Sequence, residues 1–166
     1  MSFVVRPANE DDLDAAVDLY AAVAEEARWI GAEAPVDRVE RRARFESSVR
    51  RDDAQFFVAD EGGRIVGELG IEVAGYGVAD FGMMVAADVR GGGVGSALLS
   101  AAIDWARAAG AHKVGLQVWP HNEAAIALYR KFGFEQEGRL RRHYRRRNGE
   151  LWDAVVMGLV LDETRS

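Results

Sequence analysis

The residues best suited to chemistry are four glycines that follow an arginine, in the stretch Arg90-Gly91-Gly92-Gly93-Val94-Gly95. The apolar spacing after them predicts a helix, so these glycines connect a predicted strand to a helix N-terminus. Backbone N–H groups converge at such a point, and the helix dipole favours negative charge there. Glycine also permits positive φ and close approach of a ligand. The loop therefore predicts an anion-binding site.

Two common nucleotide-binding loops do not fit this stretch. A Walker loop ends in Gly-Lys-Ser/Thr, whereas Gly95 is followed by Ser96 and Ala97. The dinucleotide fingerprint Gly-x-Gly-x-x-Gly/Ala fails as well, because its last position is Ser96 or Leu98, depending on the starting glycine. Taken by itself, the loop is also compatible with a flexible connector between strand and helix that binds no ligand.

A tyrosine further along the chain is the second candidate. Asn122 is suited to cap a helix, and Tyr129 follows it by two helical turns, on the same apolar face as Ala125 and Phe132. A phenol with a pKa of about 10 can protonate a departing thiolate. The same spacing fits a core tyrosine, so the residues alone leave both roles open.

The elements that would position these residues alternate between strands and helices. Their order, βααβββαβαββ, predicts an α/β fold with a mixed sheet of about seven strands flanked by about four helices. No repeat, low-complexity tract or linker is visible, so residues 1–166 are expected to form a single domain. Strands are predicted at 3–6, 55–59, 64–73, 78–85, 113–119, 134–144 and 151–161, and helices at about 10–24, 38–49, 94–109 and 122–132.

Composition narrows the class of protein. The chain has 166 residues and no cysteine, which excludes a cysteine nucleophile, a thiolate zinc site and a disulfide framework. Its three histidines are too far apart for a His-Glu-x-x-His helix, so we expect no metal. We see neither a membrane-spanning run nor a signal peptide, and expect a cytoplasmic protein. The net charge of −6 argues against a nucleic-acid partner.

Two motifs in this order resemble those of the GCN5-related N-acetyltransferases. The pyrophosphate loop of that family, Arg/Gln-x-x-Gly-x-Gly/Ala, is matched by Arg90-x-x-Gly93-x-Gly95. Its second signature, an Asn, then Ala-x-x-Leu-Tyr, then Gly-Phe, is matched between Asn122 and Phe134. One helix and one strand separate the two motifs, as in the family, and the resemblance covers essentially the whole chain.

The resemblance implies an N-acetyltransferase that uses acetyl-CoA as co-substrate and acts by direct attack of an amine in a ternary complex. It implies that the end of the strand before the loop holds the pantetheine arm through its backbone, with the N–H of Val85 serving the thioester oxygen. It also implies that Tyr129 protonates the thiolate. The cofactor-binding residues expected are Met83, Met84, Val85, Arg90, Gly91, Gly92, Gly93, Val94, Gly95, Ser96, Asn122 and Tyr129.

The general base is less well defined. Relatives that acetylate the N-termini of ribosomal proteins carry a glutamate five residues before the Asn, and here that position is Gln117, which cannot usefully accept a proton. Glu72 and Asp80, on the two strands that lead to the loop, are the remaining catalytic candidates. Either also fits a solvent-facing strand charge, and a water relay is a further alternative.

The acceptor is expected to be the primary amine of a small molecule. Arginines of the predicted 139–147 hairpin either form a solvated face or pair with an anionic acceptor, and Trp29 would supply an apolar wall. This favours an amino-acid-like acceptor. The alternatives are a protein or peptide N-terminal acetyltransferase and a non-catalytic acyl-CoA-binding regulator, and self-association as a homodimer is compatible with the sequence. The arginines concerned are Arg141, Arg142, Arg145 and Arg147.

Overall fold

The computed structural model describes residues 2–162, which form seven strands and four α-helices in the order predicted. The expected α/β fold with a mixed sheet is therefore confirmed, and element ends differ from the prediction by a few residues. None of the described helices is long and apolar enough to span a membrane. The strands are β1 Val4–Pro7, β2 Ala54–Glu61, β3 Arg64–Val73, β4 Val78–Val85, β5 Lys113–Val118, β6 Glu135–Arg145 and β7 Leu151–Val160. The helices are α1 Leu13–Glu25, α2 Arg38–Arg50, α3 Val94–Ala108 and α4 Glu123–Lys131.

The sheet divides between β4 and β5. Its strand order is β1-β2-β3-β4-β5-β7-β6, and β4 and β5 run parallel while the other neighbours are antiparallel. The parallel pairing covers three positions and ends where Asp80 registers with Gly115. Beyond that point β4 continues along β3, and β5 continues along β7. The two strands therefore form a fork that opens toward the loop after β4.

The two faces of the sheet are covered by different helices. Phe45 of α2 stacks on Phe56 of β2 with ring centroids 4.6 Å apart, and Phe56 registers with Gly70 of β3. Gly67, three residues earlier on β3, faces the opposite side, because strand side chains alternate. A Cβ at Gly67 would come within 2.7 Å of Val94. Glycine at this position thus lets α3 pack closely on the face opposite α2.

Candidate active site

A cleft of about 710 Å³ lies at the fork of the sheet. Its size is within the range of small-molecule sites. β3 and β4 contribute to it on one side, and α2, α4 and the segment between α1 and α2 close it on others. The cleft brings together many residues that the sequence singled out, namely Trp29, Glu72, Asp80, Met83, Met84, Gln117, Asn122 and Tyr129.

The glycine loop lies just outside the lining of the cleft and leads into α3. Gly91 and Gly93 have φ values of +82° and +89°, a conformation that favours glycine. Gly93 is the N-cap of α3, and no side chain within residues 2–162 caps the N–H groups of its first turn. These donors remain available to an anion. Gly95 serves packing as well, because a Cβ there would lie 3.3 Å from Leu128 of α4.

Arg90, expected at the pyrophosphate, is paired within the protein. Its two terminal nitrogens donate to the two carboxylate oxygens of Glu26 at 2.7 Å, and its Nε donates to the carbonyl of Val85 at 3.1 Å. The hydrogen bonds from Arg90 hold the pKa of Glu26 below its usual value. Arg90 therefore joins the end of α1 to the end of β4.

The end of β4 presents backbone groups to the fork. The N–H of Ala86 donates to the carbonyl of Val66 on β3 at 2.8 Å. Because successive residues of a strand direct their backbone groups to opposite sides, the N–H and carbonyl of Val85 point away from β3. β5 has already diverged on that side. The N–H of Val85 is thus a donor outside the sheet ladder, at the place where the resemblance puts the thioester oxygen.

Tyr129 packs in the core and also reaches the cleft. The residue is 7% exposed, and its ring packs edge-on against Phe81 at 5.8 Å. It also lines the cleft, and its hydroxyl has no hydrogen-bond partner among residues 2–162. Burial raises the pKa of Tyr129 to about 12. The hydroxyl therefore stays protonated over the working range of an enzyme.

The two carboxylates proposed from the sequence differ in their surroundings. Glu72 accepts a hydrogen bond from Arg51 at 3.0 Å, and more than half of its side chain is exposed. Asp80 is exposed and lies at the base of the fork, with Oδ1 3.0 Å from the position that a Cβ on Gly115 would take. Desolvation raises the pKa of Asp80, and the negative charge of Glu72 raises it further. Asp80 is the better placed of the two as a proton acceptor.

A third carboxylate, which the sequence analysis missed, lies in the same cleft. Glu68 of β3 is 2% exposed, and neither of its carboxylate oxygens has a hydrogen-bond partner within residues 2–162. Burial raises the pKa of Glu68 well above its usual value, and the positive charge of Arg41 partly opposes this. The available signal was a single charge inside the apolar run from Ile65 to Ile71. A strand that is apolar on both faces has no solvent side for such a residue.

The arginines beside the cleft come from α2 rather than from the β6–β7 hairpin, which corrects the sequence expectation. Arg41, Arg44 and Arg51 line the cleft. Arg147 instead donates to the backbone carbonyls of Ala34 and Pro35. The hairpin arginines expected to read the acceptor lie outside the lining: Arg141, Arg142, Arg145 and Arg147.

One hairpin arginine is buried and supports the wall of the cleft. Arg146 is 4% exposed, and its guanidinium lies 4.3 Å from the ring of Trp152 and 5.2 Å from that of Trp119. It donates to the carbonyl of Gly31 at 2.9 Å. This contact ties the hairpin to the segment that carries Trp29 into the cleft.

Replacement of this arginine should destabilise the fold. Arg146→Met keeps an apolar chain over the two indole rings but removes the donors, and we expect a loss of roughly 2–3 kcal/mol in the free energy of unfolding. Urea unfolding of the variant measures this loss. Arg145→Met, at the exposed neighbouring position, is the control and should change the midpoint little. Equal midpoints for the two variants would contradict the supporting role of Arg146.

The mixed sheet forks beside a glycine-rich helix N-terminus and thereby places an anion-binding turn next to a cleft of small-molecule size. Residues 16–134 match the model of the acetyltransferase (GNAT) family. The whole chain is 32% identical to the L-methionine sulfoximine/L-methionine sulfone acetyltransferase of Pseudomonas paraeruginosa, over 99% of that protein.

Solved structures agree in fold. A ribosomal-protein-alanine N-acetyltransferase from Brucella melitensis superposes with a TM-score of 0.87 at 30% identity, over 95% of this chain and 99% of that one. An acetyltransferase from Salmonella typhimurium, solved with acetyl-CoA, superposes with a TM-score of 0.88 at 24% identity, over 100% and 98%. The chain belongs to the GNAT family and is an acetyl-CoA-dependent N-acetyltransferase.

Proposed function

We propose that the enzyme acetylates the α-amino group of a small amino-acid-like acceptor, which attacks acetyl-CoA directly in a ternary complex. The observation that carries this proposal is the guanidinium of Arg41 in the cleft, which has no carboxylate at ion-pair distance among residues 2–162. It is supported by similarity over the full chain to an acetyltransferase named for two amino-acid analogues. The cytoplasmic location and the homodimer stay predictions from the sequence.

Arg41 differs from the other arginines of the cleft in its partners. Arg44 pairs with Glu40 at 2.9 Å, and Arg51 pairs with Asp53 at 2.8 Å. Within residues 2–162, Arg41 has no carboxylate at ion-pair distance, and its guanidinium lies 4.1 Å from the centroid of the Tyr20 ring. A guanidinium held on an aromatic face keeps its donors for a carboxylate, which it can bind through two hydrogen bonds.

The floor of the cleft leaves room for an acceptor side chain. Gly70 of β3 and Gly82 of β4 are register partners, so they point to the same face, the face on which α2 packs. A Cβ on Gly82 would meet nothing within 4 Å. Trp29 and Ile30 add apolar surface to the same cleft. The cavity therefore favours a compact amine with a short side chain.

We further propose a role for each group in the transfer, which the geometry of the cleft supports. Acetyl-CoA supplies the activated acetyl group, and the free N–H groups at the start of α3 suit its pyrophosphate. The N–H of Val85 stabilises negative charge on the thioester oxygen as the amine attacks. Tyr129 protonates the departing sulfur. The proton of the acceptor's ammonium group passes to a carboxylate of the cleft.

Arg41→Met tests the acceptor class. The change keeps the aliphatic packing on Tyr20 and removes the guanidinium. We expect KM for amino acids to rise roughly 10–100-fold, because charge-assisted hydrogen bonds contribute about 1.5–3 kcal/mol. KM for the corresponding amides, which lack the carboxylate, should change little. The measurement is thiol release with matched panels of amino acids, amides, polyamines and short peptides.

The control for this test comes from the same helix. Arg38 is paired with Asp18 at 2.7 Å and lies outside the cleft, so Arg38→Met should leave the panel unchanged. If the unmodified enzyme uses amides, polyamines or peptides as well as it uses amino acids, the acceptor is not selected by its carboxylate. Preference for a peptide with a free N-terminus would instead favour acetylation of protein or peptide N-termini, the activity named for the Brucella melitensis homologue.

A further inference from the structure

The buried carboxyl of Glu68 lies beside the part of β4 that faces the donor. Glu68 registers with Met84 on β4 and with Val58 on β2. Register partners on neighbouring strands place their side chains on the same face, about 5 Å apart. Met84 immediately precedes Val85, whose N–H points into the fork. Glu68 is therefore next to the position proposed for the thioester.

The protein leaves this carboxyl without a partner. Both oxygens are buried and without a hydrogen bond in the part of the chain that is described, although the residue lines the cleft. Buried polar groups are nearly always hydrogen-bonded, and an unsatisfied one destabilises the fold. Arg41 is the one charged group in the described chain that acts on it, and the two register neighbours, Val58 and Met84, carry no charge. A cation that enters the cleft would supply the missing partner.

We propose that Glu68 binds the ammonium group of the acceptor and takes its first proton. The inference rests on the proposed function. The proton moves from nitrogen to a carboxylate oxygen of Glu68, and the freed lone pair forms the bond to the acetyl carbon. The carbon–sulfur bond then breaks, and the sulfur receives the proton of Tyr129, which regains one from the amide nitrogen through water. Glu68 finally releases its proton to solvent.

The position of Glu68 favours it over the two carboxylates found from the sequence. Asp80 lies four residues before Met84 on β4, which is about 13 Å along an extended strand. Glu72 is held by Arg51. Burial also gives Glu68 a raised pKa, which makes its carboxylate a stronger base than an exposed one. With Arg41 near it, the cleft offers an anion for the ammonium and a cation for the carboxylate of an amino acid.

Glu68→Gln is the test, with Asp80→Asn made in parallel. The glutamine keeps the volume of the side chain and removes the base. We expect kcat/KM to fall by roughly 10²–10⁴-fold and the acidic limb of its pH profile to disappear. Asp80→Asn should retain that limb. Affinity for acetyl-CoA, measured by calorimetry, should stay within a few-fold in Glu68→Gln, because the donor is expected to bind through backbone groups of β4 and the glycine loop rather than through this side chain.

Thermal stability separates this role from a structural one. The pKa of Glu68 is raised in the folded state above its ordinary value of 4.5, so its contribution to stability is lost as pH rises from about 4.5 through the folded pKa. Arg41 is the charged group that faces Glu68, and its positive charge offsets the rise in the pKa of Glu68 only in part. Glu68→Gln should therefore raise Tm, and raise it more at pH 8 than at pH 5. A structural ion pair between Glu68 and Arg41 predicts the opposite sign.

Failure of the role proposed for Glu68 can be distinguished from failure of the proposed function. The assay uses whichever amine the unmodified enzyme turns over fastest, so rejection of amino acids would overturn the acceptor class and still allow the test of Glu68. Retention of the acidic limb and of at least half the activity in Glu68→Gln would overturn the inference. Loss of the limb in Asp80→Asn alone would assign the base to Asp80 instead.

Discussion

Tyr129→Phe should lower kcat by roughly 10²–10⁴-fold, the contribution typical of a positioned general acid. The ring and its edge-on contact with Phe81 remain, so the fold should be kept. The hydroxyl is the group that is lost, and no other residue of the described chain is hydrogen-bonded to it. Acetyl-CoA binding should change little for the same reason.

The measurement is single-turnover acetyl transfer, because there the chemical step limits the rate. With the pKa of Tyr129 raised to about 12, its hydroxyl stays protonated, so the unmodified enzyme should show no loss of kcat from this group below about pH 11. Tyr76→Phe, at a fully exposed tyrosine, is the control. Full single-turnover activity in Tyr129→Phe would leave this residue with a packing role only.

The order of elements was predictable because each one carries its own local signal. The apolar run in 64–73, and the i, i+3, i+4 spacing from Val94 onward, indicate strand and helix without reference to the rest of the chain. The Asn122 cap was predictable in the same way, and its side chain accepts from the N–H of Ala125 at 3.3 Å. The loop became a candidate because glycines at a helix start are a local pattern, whereas the role expected of Tyr129 came from the family resemblance.

The partners of the charged residues were not predictable, because they depend on which elements meet. Arg90 and Glu26 are 64 positions apart, and Arg146 and Gly31 are 115 apart. Local patterning could not show that Arg146 is buried against indole rings. It also could not distinguish Arg41, which has no ion-pair partner in the described part of the chain, from Arg44, which pairs with Glu40 one turn away.

The carboxylates illustrate the same limit. Glu68 and Glu72 lie four residues apart on one face of β3, so alternation alone gives them the same environment. Their difference arises across the sheet. Glu68 registers with Val58 and Met84 and is covered, whereas Glu72 registers with Ala54 and Asp80 near the end of the strand and is reached by Arg51. Register between strands that are distant in sequence is a tertiary property.

The glycine loop is tested best at Ser96, since a Cβ at Gly95 would press on Leu128 and disturb packing whether or not a ligand binds. Ser96 is the third residue of α3 and is half-buried. A carboxylate in the first turn of a helix favours the fold through the helix dipole. The same carboxylate would compete with a pyrophosphate for the N–H groups of that turn. Ser96→Glu thus separates binding from folding.

Ser96→Glu should therefore abolish the stabilisation that CoA gives to the folded protein. At about a hundredfold excess of ligand over Kd, that stabilisation is about 2.7 kcal/mol in the unmodified enzyme. Ser96→Gln, of equal size and without charge, should keep most of it, because steric hindrance alone leaves the donors of the turn available. Thermal unfolding with and without CoA measures both. An equal CoA-induced rise in Tm for Ser96→Glu and the unmodified enzyme would place the pyrophosphate elsewhere, since a negative charge within the turn cannot leave anion binding there unaffected.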